Sequence, residues 1–186
     1  EDKLERDFAY SDVMANMHAK WPEDHEISIF YALSLLGTMR PGDEGFKRQA
    51  LAASIAMSVM EENKTHPGAA HFTIHSLDDP EHAILALPAA KVYAEIAPSS
   101  AHALHMPSHI FLQLGMWERV VNSNIESYAS AVSHTKKLIE QGVTNLGTSV
   151  VGREDFHSLS WLAYGNLMLG HYDRAQENLG LALSVV

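Results

Sequence analysis

Apolar residues recur along this chain at intervals of three and four, in segment after segment. Phe30, Leu33 and Leu36 form one such run, and Leu51, Ile55 and Val59 form another. That spacing is the stripe of an amphipathic helix packed on a neighbour, and almost no stretch shows the strict alternation of a strand. The pattern predicts an all-α chain with helices near 4–20, 24–38, 44–63, 67–77, 84–97, 101–114, 117–140, 154–169 and 171–185. Pro22, Pro67 and Pro98 stand where helices start or stop, and Gly37, Gly115 and Gly170 stand between consecutive helices. Most connections are short, which favours antiparallel helix pairs. Residues 141–152 (QGVTNLGTSVVG), with three glycines, read as a longer loop, an insertion or a cover.

The segments can be laid over one another. HIFLQLGMWERVVNSN from residue 109 and YGNLMLGHYDRAQENL from residue 164 share Leu-Gly, an aromatic two residues on (Trp117, Tyr172), an arginine (Arg119, Arg174) and a small apolar residue (Val120, Ala175). Pro98 lies ahead of Gly115 where a repeat would close. This resembles the tetratricopeptide repeat (TPR), a 34-residue helix-turn-helix unit with recurring glycine, aromatic, alanine and closing proline. The resemblance implies a TPR-like α-α superhelix over residues 1–186, read as a single repeat domain. About four units and a leading half repeat are expected, as a piece of a longer array or a mature form. The units centred on Gly37 and near Glu81 match least well. The block HPGAAHFTIHSLDDPEHA, followed by APSSAHALHMPSHIFLQLGMW, further resembles one that recurs in bacterial TPR-containing proteins; it implies no particular activity.

Composition narrows the chemistry. With 46% hydrophobic residues the chain can bury a substantial core. Its 13 basic residues face 23 acidic ones, a formal charge of −10, which would repel a nucleic-acid backbone. No apolar run is long enough for a membrane span, and the charged start EDKLERDF is no signal peptide. The absence of cysteine excludes disulfides and thiolate metal sites and fits cytoplasm and periplasm equally.

Histidine is the candidate chemistry. HFTIH (71–75) and HMPSH (105–109) each place two histidines four apart, and the pairs recur at a 34-residue interval. Counting back from the repeat turn, one column reads Ile27, His71, His105, Ser160; a second reads Tyr31, His75, His109, Tyr164; a third reads Asp24, Gly68, His102, His157. These columns share one face of the first helix of each unit. In TPR-like proteins that face lines the concave groove, so Tyr31, His71, His75, His102, His105, His109, His157 and Tyr164 are the expected groove residues. Neutral imidazoles at i and i+4 grip a divalent transition metal such as zinc, and His71, His75, His105 and His109 are the expected ligands, with Asp78 or Asp79 as possible oxygen donors.

Shared ancestry of two repeats is the plain explanation of the pairs, but the repeat's packing asks for small and aliphatic residues rather than histidine. Both pairs lack the glutamate that follows the first histidine in the zinc-protease signature. The columns hold no Lys or Arg to clamp an anionic ligand. The sequence thus supports a binding scaffold with a His-rich groove for a protein, peptide or small-molecule ligand, with a metal-dependent, hydrolase-like enzyme as the alternative. Pro107 is expected either to kink the helix carrying His102, His105 and His109 or to start it, and Pro88 raises the same question one helix earlier, with His82 drawn towards the groove if it starts there.

Overall fold

The computed structural model describes residues 2–40, 42–43, 45–143 and 148–184, with side chains throughout except at 148–155 and 184. Its order is α1 (Lys3–Lys20), α2 (His25–Gly37), α3 (Lys47–Glu62), α4 (Pro67–Ser76), α5 (Ala83–Ile96), α6 (Ala101–His105), α7 (Pro107–Gln113), α8 (Trp117–Glu140), α9 (Thr148–Met168) and α10 (Tyr172–Ser184). Among the described residues there is no strand, and no helix is long and apolar enough to cross a membrane.

Local chemistry sets the boundaries. Side chains cap the first turns: Asp24 accepts from the Ile27 amide at 3.0 Å, and Ser100 accepts from the Ala103 amide at 3.3 Å. His66 does the same through Nδ1 for the Ala69 amide, ahead of Pro67 at the first helical position. The turns after α7 and α9 are alike. Gly115 (φ 67°) and Gly170 (φ 75°) adopt the left-handed conformation, and the next amide, of Met116 or His171, bonds back to Phe111 or Asn166 at 2.8 Å. The Leu-Gly-x-aromatic alignment is therefore one structural motif used twice. Gly37 does not share it; it is the last residue of α2, and Thr38 takes the cap.

The helices divide into two compact units, one ending at Ala89 and one beginning at Ala90, within α5. In the first unit, Ile29, Ala56, Val59 and Ala69 form one apolar cluster and Ala32, Leu35, Ala52 and Ile55 another. Alanines let α2, α3 and α4 approach closely, and at Gly68 an added Cβ would stand 2.8 Å from the Ile29 side chain. At its edge Asp7 pairs with Lys3 and Arg40, whose hydrogen bonds hold its carboxyl below the usual carboxylate range.

In the second unit, α8, α9 and α10 enclose Val121, Leu159, Leu162 and Ala182. Burying a side chain of the size of Leu159 contributes about 1.5–3 kcal/mol. Gly165 lets α9 close on α8: a Cβ there would meet Val121 at 2.9 Å. A buried polar link ties the unit together, since the Ser127 hydroxyl donates to the Ala101 carbonyl at 2.8 Å and accepts from Ser158 at 2.8 Å. A carbonyl only accepts, so Ser127's single proton goes to Ala101 and Ser158 must be the second donor.

Three sequence expectations meet a different local outcome. Pro107 breaks the expected 101–114 helix into α6 and α7 without displacing its start, because Met106 keeps helical angles (φ −52°, ψ −37°). Pro88 lies inside α5, which begins at Ala83; the proline removes one intrahelical bond, while Ala86, Ala89 and Ala90 around it are buried. In the expected 141–152 loop, α9 begins at Thr148, so weak helix formers there are overridden; residues 144–147 lie outside the described residues.

Candidate functional site

The second unit brings three of the candidate histidines together. His105 closes α6, His109 follows one turn later on α7, and His157 comes across from α9. Because Met106 keeps helical angles across the break, His105 and His109 stay one turn apart, with Nε2 atoms 3.1 Å apart. The Nε2 of His157 stands 2.9 Å from that of His105. All three donor nitrogens lie within 4.8 Å of one another, and their rings grade from buried His105 through half-buried His109 to exposed His157. Trp161, one turn after His157, packs on all three, its ring centroid 4.9 Å from His105, 4.7 Å from His109 and 5.9 Å from His157.

The hydrogen bonds around His105 fix its proton. Asn124 of α8 is fully buried, and its Nδ2 donates to the Val120 carbonyl at 2.8 Å. The other end of that amide, Oδ1, therefore faces His105 Nδ1 at 2.7 Å. An amide oxygen accepts only, so Nδ1 carries the hydrogen and Nε2 keeps the lone pair. Ser108 adds little, because its hydroxyl donates to the His105 carbonyl at 2.6 Å and lies 3.5 Å from Nδ1. Burial pushes the ring's pKa down to about 3, with His109, His157 and His102 acting in the same direction and the bond to Asn124 opposing them. His105 is neutral at physiological pH.

One lone pair thus faces two other ring nitrogens at hydrogen-bonding distance. A single sp² lone pair takes one N–H along its axis, so two simultaneous hydrogen bonds to it compete. A cation between the rings would use all three nitrogens. Tetrahedral zinc with bonds of 2.0–2.1 Å requires nitrogens about 3.3 Å apart; the two separations of 3.1 and 2.9 Å are within a few tenths of this.

The remaining expected residues are placed as follows. His71 and His75 belong to the first unit, on α4, where their rings lie 4.7 Å apart and His71 also stacks on Phe72 at 4.9 Å. His102 lies exposed on α6, one turn before His105. Tyr31 packs beside the Ala32–Leu35 cluster and 5.5 Å from the ring of His18. Tyr164, half exposed on α9, meets Trp117 edge-on at 5.7 Å. Asp79 is engaged in its own loop, accepting from the amides of Glu81 at 2.9 Å and His82 at 3.1 Å, and from His82 Nδ1 at 2.8 Å. His82 in turn lies flat on Phe46, centroids 3.7 Å apart. Asn124 and Trp161 escaped the sequence reading. The signal for Asn124 was an amide side chain on the buried face of α8, beside Val120, Val121 and Ser127.

Helices in antiparallel pairs, joined by a repeated glycine turn, define an all-α, TPR-like repeat fold. Solved structures of MamA, a TPR-like helical protein, share it. MamA 41-end from Desulfovibrio magneticus RS-1 matches with a TM-score of 0.67 at 13% identity, over 100% of this chain and 96% of that one. The MamA RS-1 ArsTM double mutant gives the same score and identity over 100% and 95%. MamA MSR-1 C2 gives 0.50 at 12% identity over 97% and 96%. At these identities the likeness is one of fold. No protein-family model matches the chain, and no curated protein sequence matches it.

Proposed function

We propose that the protein is a TPR-like binding scaffold whose second unit holds a divalent transition metal, zinc by preference, on Nε2 of His105, His109 and His157. The observation that supports this is the single lone pair of His105, fixed by Asn124 and approached by two further Nε2 atoms at 3.1 and 2.9 Å. Neutral imidazoles suit the borderline cations zinc, copper and nickel, and the chain has no cysteine to draw the ion elsewhere. His71 and His75, the other expected ligands, supply two donors from α4.

The scaffold part of the reading is supported by the fold, since stacked helix pairs present extended surfaces to a protein or peptide. Titration of zinc into the untagged, EDTA-treated chain tests the metal part. One equivalent is expected to bind to the wild type and to be lost in His157→Ala, a substitution at an exposed position. Equal uptake by both, or none by either, contradicts it.

Three donors among the described residues is also the count at which zinc commonly retains a position for water. That favours a second reading, a metal-dependent hydrolytic enzyme, with a metal-bound water as nucleophile. It expects ester or phosphoester turnover by the zinc form that His157→Ala lacks; equal rates count against it.

A further inference from the structure

We propose that Asn124 is a positioning residue that selects the tautomer of His105 and so creates the metal-donor nitrogen; this rests on the metal reading above. Asn124 is fully buried in a stripe otherwise made of Val120, Val121 and Ser127. An amide in such a place is costly unless both its ends are bonded. Both are: Nδ2 donates to Val120 at 2.8 Å and Oδ1 accepts from His105 at 2.7 Å. The first bond dictates the second, because turning the amide over would set two oxygens against each other at Val120.

The consequence reaches the opposite edge of the imidazole. With its hydrogen on Nδ1, His105 offers a lone pair at Nε2 to the point where His109 and His157 converge. In the other tautomer, Nε2–H would point at both of those rings and Nδ1 would set its lone pair against the amide oxygen. His105 would then offer an ion no lone pair at that point. Asn124 touches no metal; it acts through the far side of the ring, about an imidazole's width away.

Packing alone would make every substitution of Asn124 a loss of stability with affinity following it. Tautomer selection separates the two. Asn124→Leu removes the acceptor, and zinc affinity is expected to fall about 10–100-fold, the usual cost of losing an outer partner. Asn124→Asp keeps an acceptor, now charged, which strengthens the bond from Nδ1–H and the donor power of Nε2. Zinc affinity in that variant is expected to equal or exceed the wild type's, although a buried carboxylate lowers the stability of the metal-free chain.

The experiment is nitrogen-15 NMR of the imidazoles in the metal-free full chain, joined to zinc titration of wild type, Asn124→Leu and Asn124→Asp. Expected are a His105 with protonated Nδ1 in the wild type and in Asn124→Asp, a shift towards protonated Nε2 in Asn124→Leu, and affinities in the order given. A wild-type His105 protonated on Nε2, or a tautomer that Asn124→Leu leaves unchanged, overturns the proposal. So does a loss of affinity in both variants that tracks their loss of stability. A wild type with the stated tautomer that takes up no zinc contradicts the metal reading while supporting the tautomer assignment.

Discussion

Nε2 of His157 on α9 stands 2.9 Å from Nε2 of His105 on α6, across a sequence separation of 52 residues. Two helices of different repeat units thereby meet at one pair of ring nitrogens, with His109 completing the group.

His105→Leu removes the donor that Asn124 Oδ1 relies on while keeping an apolar body in the site. The buried oxygen is left without a partner, at a cost of about 1–3 kcal/mol. Chemical denaturation of the metal-free variant is expected to show a loss of that size. His157→Ala, at an exposed position, is expected to change metal-free stability by under about 0.5 kcal/mol. An equal loss in both variants would show that the bond to Asn124 contributes nothing.

The metal-free chain should lose stability in mild acid. The pKa of His105 is depressed by burial to about 3, below the ordinary value of 6.5, so between these the unfolded chain binds the extra proton. Stability is then fully present above about pH 6.5 and declines as pH falls towards 3, by at most one proton, about 1.4 kcal/mol per pH unit. Denaturation of the EDTA-treated chain across this range checks it against His105→Gln, in which the slope is expected to be shallower. Equal slopes would place the ring in solvent-like surroundings.

Gly165→Ala tests the closeness of α9 and α8. The new methyl would stand 2.9 Å from Val121 and 3.4 Å from Val120. Overpacking of this kind costs about 1–3 kcal/mol. Gly180, with nothing within 4 Å of an added Cβ, is the control, and Gly180→Ala is expected to be neutral or stabilising by thermal unfolding.

Ser127→Ala breaks the link between α6, α8 and α9. Fully buried Ser158 loses its acceptor, and the half-buried Ala101 carbonyl loses a donor. Destabilisation of about 1–3 kcal/mol is expected in a denaturant titration. A neutral result would mean that the two serines are hydrated and that packing alone sets the register of α9.

The fold was legible because the helices carry local signals: an apolar stripe of period 3.6, a capping Asp at the start of α1 and α2 and a capping Ser at α6, and a glycine turn after α7 and α9. The Leu-Gly-x-aromatic echo marked Gly115 and Gly170 correctly as equivalent turns, because a left-handed turn demands glycine wherever it recurs. Gly37 was misleading for the same reason: a glycine within the last turn looks identical in sequence. The histidine face was also legible, since spacing of three and four puts residues on one side of a helix. Which rings of different helices stand next to one another was not. The repeat ruler expects like columns to face like columns, yet His105 of one column meets His157 of another. The offset between neighbouring helices is set by contacts such as Ser127 with Ser158, which no periodicity records. Asn124 is the same kind of residue, its role defined by a partner 19 positions away.

The most direct test of the metal centre is an anomalous diffraction map, at the zinc edge, of crystals of the zinc-loaded untagged chain. The account expects one strong peak per chain, 2.0–2.1 Å from Nε2 of His105, His109 and His157. No peak there, or a peak bound at His71 and His75 without these three, would contradict it.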